Sequence, residues 1–114
     1  MDQIVEPDRV RRIRELNDKF RQSFVGGVVV TTAGVDALDA ATKARVLHRV
    51  RTFASWSEDN DPHHEHDFCA FCVDGVRYFG KIDYYNRAMT AGTEDPSDAQ
   101  TTTRVLTVMR ADEY

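Results

Sequence analysis

Residues 68–82 read FCAFCVDGVRYFGKI, and this stretch decides the fold. Asp74-Gly75 sits between two apolar-rich segments, and a two-residue type I′ turn needs positive φ at both central positions, which Asp-Gly tolerates. The stretch is therefore predicted as a β-hairpin. Its turn dictates the register. Val73 faces Val76, Phe71 faces Tyr78, Cys69 faces Gly80 and Asp67 faces Ile82 on one side of the ribbon. On the other side Cys72 meets Arg77, Ala70 meets Phe79, Phe68 meets Lys81 and His66 meets Asp83.

Working outward toward the N-terminus, the segment Ser57-Glu58-Asp59-Asn60-Asp61-Pro62 cannot continue a helix and reads as a loop. Before it, Leu38, Ala41, Leu47, Val50, Phe53 and Ala54 trace an apolar face with no Gly or Pro, and Asp36 and Asp39 both qualify as N-caps. A helix is predicted from Asp39 to Ser55. Gly34 is expected to end a preceding strand, Val28 to Thr32, whose β-branched run suits a buried position. Earlier still, Val10, Ile13, Leu16, Phe20 and Phe24 recur at three- and four-residue steps after Pro7, predicting a helix from Pro7 to Ser23 that Gly26-Gly27 breaks.

Toward the C-terminus, Tyr84-Tyr85-Asn86 leads into a loop rich in Gly, Thr, Asp and Pro. Arg104 to Met109 then favours a final strand, with a C-terminal helix as the alternative for 104–110. The order helix, strand, helix, hairpin, strand predicts an α+β domain. Two helices from the N-terminal half pack on one side of a small antiparallel or mixed sheet. At 114 residues and 13.0 kDa, with 41% hydrophobic and 30% charged residues, the chain can bury one core and is expected to form a single domain, 1–114. No apolar run reaches the ~18–20 residues of a membrane span, and the first residues lack the apolar centre of a secretory signal, so the chain is expected to stay in the cytoplasm.

Two cysteines three residues apart cannot frame a secreted mini-protein, and Cys69 and Cys72 are expected as reduced thiols. With His63, His64 and His66 they form a cluster whose chemistry suits zinc. Residues i and i+3 of a regular strand face opposite sides of a sheet, however, so no metal ligand is assigned. The net charge of −4 conceals a polarity: residues 1–57 carry 10 basic and 7 acidic side chains, and 58–114 carry 5 and 12. An acidic surface of this kind attracts basic partners and repels nucleic acid.

Lys81-Ile82-Asp83-Tyr84-Tyr85, Glu65-His66-Asp67-Phe68, Asn60-Asp61-Pro62, Asp95-Pro96 and Thr103 to Met109 carry a resemblance to a known family, as do Ala111 to Tyr114, Gly26-Gly27 and Thr32-x-Gly34-Val35. The chain resembles an uncharacterised domain of unknown function found in small alphaproteobacterial proteins, often on plasmids and integrated mobile elements. In that family a glycine follows His-Asp-Phe and a bulky aromatic precedes Lys-Ile-Asp-Tyr-Tyr, where this chain has Cys69 and Gly80. Exchanged sizes at two facing positions conserve volume, which supports the hairpin register.

The resemblance brings no activity, and no nucleophile motif or phosphate loop accompanies it. The first functional expectation is a non-enzymatic binding protein of a mobile element. It would be an anti-CRISPR or anti-restriction inhibitor, its acidic surface blocking the basic nucleic-acid site of a host-defence nucleoprotein complex. Asp59, Asp61, Glu65, Asp67, Asp83, Glu94, Asp95 and Asp98 are its candidate contacts, with Tyr84 and Tyr85 as anchors. Other aromatics, Trp56, Tyr78 and Phe79, fit a core equally well. His66 is expected to be structural, within reach of Asp83 or of main chain in the preceding loop. No cofactor, membrane contact or direct nucleic-acid contact is required. One alternative is a small hydrolase or nuclease centred on His66, Asp67 and Asp83. Another is a nucleic-acid-binding regulator that uses Arg9, Arg11, Arg12 and Arg14 of the first helix.

Overall fold

A computed structural model describes residues 7–114. Helix α1 spans Asp8–Ser23 and ends at Phe24, whose φ of 60° turns the chain into the left-handed region. Strand β1, Gly27–Thr31, is followed by the single helical turn α2, Ala33–Asp36, and by α3, Ala40–Thr52. Asp39 caps α3 by accepting from the Thr42 amide at 2.8 Å, satisfying one of the donors that a helix start leaves open. Strands β2, Phe68–Val73, and β3, Val76–Asn86, form the hairpin, and β4, Thr102–Arg110, precedes a 3₁₀ turn at Ala111–Glu113.

The sheet order is β1-β4-β3-β2. Every hairpin pair from Phe68–Lys81 to Val73–Val76 matches the register that the turn imposes, and Asp74 and Gly75 adopt φ values of 52° and 77°. The Ile82 amide donates to the Asp67 carbonyl at 2.8 Å, extending that register by one pair. β3 runs antiparallel to both neighbours, while β1 lies parallel to β4, so the sheet is mixed. Residues 104–110 are strand, and β4 lies inside the sheet between β1 and β3.

Period-2 alternation directs Cys69, Phe71, Tyr78, Ile82, Leu106 and Val108 to one face, where Phe20 of α1, Val35 of α2, and Val46 and Val50 of α3 cover them. Each fully buried apolar side chain of this size contributes about 1.5–3 kcal/mol. Among the described residues no α-helix covers the opposite face. Tyr114 packs edge-on against Phe68 and Phe79 at one corner of it.

Three local expectations are corrected. β1 is an edge strand rather than a buried one, with Val28 47% and Val30 42% exposed, because it has a sheet neighbour on one side and helices on one face only. Gly34 sits inside α2 rather than ending the strand, which stops at Thr31. α3 stops at Thr52 rather than Ser55. Phe53 takes ψ 130°, which ends the helix, and its ring meets Trp56 edge-on at 4.6 Å.

Candidate functional site

β2 begins, β3 ends, and β1 and β4 begin at the same end of the sheet, so the connections 53–67 and 87–101 converge there. Beneath them α1 supplies a polar network. Asn17, with no solvent exposure, donates through its amide to the Glu65 carbonyl at 2.9 Å and the Tyr84 hydroxyl at 2.7 Å. The Tyr84 hydroxyl in turn donates to the Glu65 carboxylate at 2.7 Å. Arg104, 3% exposed, donates from Nε to the Asn17 side-chain oxygen at 2.7 Å and from Nη2 to the Pro96 carbonyl. Its guanidinium lies 5.2 Å from the Tyr84 ring centre. Burial, reinforced by the bond to Glu65, drives the Tyr84 phenol far above its ordinary value.

A second knot holds the 57–67 loop. His66 Nδ1 lies 2.8 Å from Asp18 Oδ1 of α1, and Nε2 lies 3.4 Å from Asp61 Oδ2. The ring stacks on Trp56 with centroids 4.0 Å apart, and Arg21 lies 4.9 Å from the centre of the indole ring while pairing with Asp18 at 2.9 Å. Asp61 also accepts from the His66 amide at 3.0 Å. The expected reach of His66 to Asp83 is corrected: positive φ at His64 and His66 swings the chain off the strand path, and Asp83 pairs instead with Lys81 at 3.4 Å.

The sequence-predicted contacts divide into two groups. Asp61 is 4% exposed and Tyr84 is inward-facing, so both serve the interior; Glu65 is half-buried on Tyr84. Asp67 is half-buried, and burial together with the nearby Glu65 and Asp61 carboxylates raises its carboxyl above the ordinary value. Asp83 and Tyr85 face the uncovered side of the sheet, opposite Val105 and Thr103. Asp95 accepts from Ser97 and pairs with Arg9 at 3.2 Å. Asp59, Glu94 and Asp98 are exposed, and among the described residues no ion pair joins them. Glu94, Asp95 and Asp98 line an open cleft of 540 Å³ with Asn86, Gly92 and Thr101.

The α1 arginines are largely turned to internal partners. Arg9 meets Asp95, Arg11 meets Asp8, and Arg14 donates to the His64 carbonyl at 3.2 Å, while Arg12 is exposed. Cys69 is buried against the helices and Cys72 is exposed on the other face; among the described residues no three His, Cys, Asp or Glu side chains converge as a metal-ligand set.

Sequence reasoning left Trp56 open between anchor and core, and missed Asn17, Asp18, Arg21 and Arg104 as site residues. Two of these four left a signal. Asn17 falls between Ile13 and Phe20 at helical spacing, a polar residue in a buried stripe, and Arg104 alternates with Leu106 and Val108 on the core face of β4.

Comparison with curated proteins and with solved structures returns no match. Residues 31–113, from the end of β1 through the 3₁₀ turn, match the family described as protein of unknown function (DUF3768), and the chain belongs to that family.

Proposed function

We propose that the chain is a non-enzymatic binding protein that docks the loop end of its sheet onto a basic surface of another protein. The observation that carries this reading is the placement of Asp59 on one, and Glu94 and Asp98 on the other, of the two connections at that end, all three exposed and without an ion-pair partner among the described residues. Three cations at that end are held in internal contacts: Arg9 on Asp95, Arg87 on the Ala99 and Gln100 carbonyls, Arg104 on Asn17. Unscreened surface carboxylates steer association with a basic groove and compete there with nucleic-acid phosphates.

In its finer form, the protein serves a mobile genetic element as an anti-defence inhibitor of the anti-CRISPR or anti-restriction kind. Its target is then a host nucleoprotein complex. The chain's charge polarity and its resemblance to proteins carried on such elements support this form. A hydrolase centred on His66 is less favoured, because both ring nitrogens already face carboxylates and neither is directed to a substrate.

The test is capture from a host lysate at about 50 and about 500 mM salt, using the wild type and an Asp59→Lys, Glu94→Lys, Asp98→Lys variant whose circular dichroism is unchanged. The reading expects a nucleic-acid-binding protein that the wild type retains at low salt and releases at high salt, that loses its nucleic acid on capture, and that the variant does not retain. Retention equal in the variant and indifferent to salt would sink it.

A further inference from the structure

We infer that β1 is a self-association edge, on which a second copy of this chain pairs antiparallel about Val29 to form a continuous eight-stranded sheet. The inference stands on the main chain and does not rest on the acidic end.

The direction of the main-chain groups follows from parity. The Thr32 amide donates to the Val108 carbonyl at 3.1 Å, and Thr31 is the register partner of Val108. In a parallel ladder, alternate residues send both their N–H and C=O to the neighbour. Val28, Val30 and Thr32 therefore face β4, whereas Gly27, Val29 and Thr31 present their N–H and C=O groups outward. Among the described residues none of these outward groups has a partner.

The two edges of the sheet are treated differently. On β2 the outward Cys72 carbonyl accepts from Arg49 of α3 at 3.0 Å, and the Arg49 guanidinium lies 5.2 Å from the Phe71 ring centre. A charged side chain over an edge is a recognised block to strand addition. β1, GVVVT, has no charge, no proline and no bulge. Of the five large apolar residues exposed among the described positions, Val25, Val28 and Val30 lie on or beside it.

A second β1 satisfies this edge in full. Antiparallel pairing about Val29 sets Val29 against its own copy and Gly27 against Thr31, so all three outward-facing residues of each chain meet outward-facing residues of the other. Six main-chain hydrogen bonds result, and none of the inward groups is called on. On the uncovered face Val28 lies against Val30 of the copy, an apolar cross-strand pair of the kind that stabilises antiparallel ladders. The flanks add no charge clash: Asp36 at one end of β1 is paired with Lys43 at 2.8 Å, and Arg51 at the other donates to the Gln22 carbonyl over the Phe24 ring. Both loop ends stay open, at opposite ends of the enlarged sheet.

Sedimentation of the full chain from about 5 µM to about 1 mM tests this. The expected weight-average mass rises from 13.0 kDa toward twice that value. A Val28→Lys, Val30→Lys variant stays monomeric throughout, as does a Val28→Glu, Val30→Glu variant, and mixing the two restores the dimer, because residue 28 of one chain lies against residue 30 of the other. Hydrogen exchange on the wild type needs no variant. The Val28 and Val30 amides are protected at every concentration, whereas Val29 and Thr31 become protected only as the dimer forms. A constant 13.0 kDa with Val29 and Thr31 unprotected throughout would overturn the inference and leave the edge to a foreign strand. So would a dimer that both charged variants form as readily as the wild type.

Discussion

His66 and Cys69 stand three residues apart and illustrate two ways of holding a polar side chain. The imidazole is clamped by Asp18 and Asp61 and stacked on Trp56, so removing it strips a partner from a 4% exposed carboxylate. His66→Ala is expected to cost about 1–3 kcal/mol in urea unfolding and to shift Trp56 emission, since the indole loses its stacked ring. Cys69 is buried beneath the helices and faces Gly80, where an added Cβ would come within 2.8 Å of its sulfur. Burial pushes this thiol from an ordinary 9.0 up to about 11. Well below pH 9 the thiol is neutral in both the folded and unfolded chain. Between about 9 and 11 the unfolded chain releases a proton that the folded chain keeps, so stability falls as pH rises. Cys69→Ala should flatten that alkaline loss. A thiol reagent at pH 8 should label Cys72 alone until the chain is unfolded, and two equivalents labelled natively would contradict the burial argument.

At the scale of elements, α1 and the hairpin carry different kinds of information. α1 packs on the sheet through Ile13, Asn17 and Phe20, and Asn17 makes the helix a polar anchor for both long connections. Asn17→Ala leaves the Arg104 guanidinium short of an acceptor and the Glu65 carbonyl short of a donor. A cost of about 2–4 kcal/mol is expected, read from the denaturation midpoint. The hairpin depends on its turn. Gly75 sits at φ 77° with open space around its Cα, so Gly75→Ala meets no clash but takes on left-handed strain of about 1–2 kcal/mol. Gly75→Asn should recover part of that loss, because Asn tolerates this conformation better than Ala.

Across the whole molecule a single apolar cluster joins all three helices and β2, β3 and β4, with Val29 of β1 packed against it. Trp56 belongs to the rim of that cluster and is tied by His66 to α1. Unfolding is therefore expected as one cooperative transition, in which Trp56 fluorescence and far-UV circular dichroism report the same midpoint. Separate midpoints would show that the 53–67 connection melts ahead of the core. Charge is arranged at the same scale: the acidic second half of the chain supplies most of both loops at one end of the sheet, and of the α1 arginines Arg9 and Arg11 are held in ion pairs and Arg14 on a carbonyl, while Arg12 is exposed.

What the sequence by itself determined was local in origin. Asp74-Gly75 set the turn, the turn set the register of six strand pairs, and the three-and-four spacing in α1 set which face is buried. These follow from φ preferences and side-chain periodicity within a few residues. The tertiary structure decided what depends on distant partners. His66 lies 48 residues from Asp18, and nothing in the hairpin register could reveal that the loop bends away from Asp83 toward α1. The β-branched run of β1 reads the same in a central or an edge strand, because branching suits the pleat in either place. Only the parallel pairing with β4, 77 positions further along from Gly27 to Arg104, put that run at the margin of the sheet with one side open.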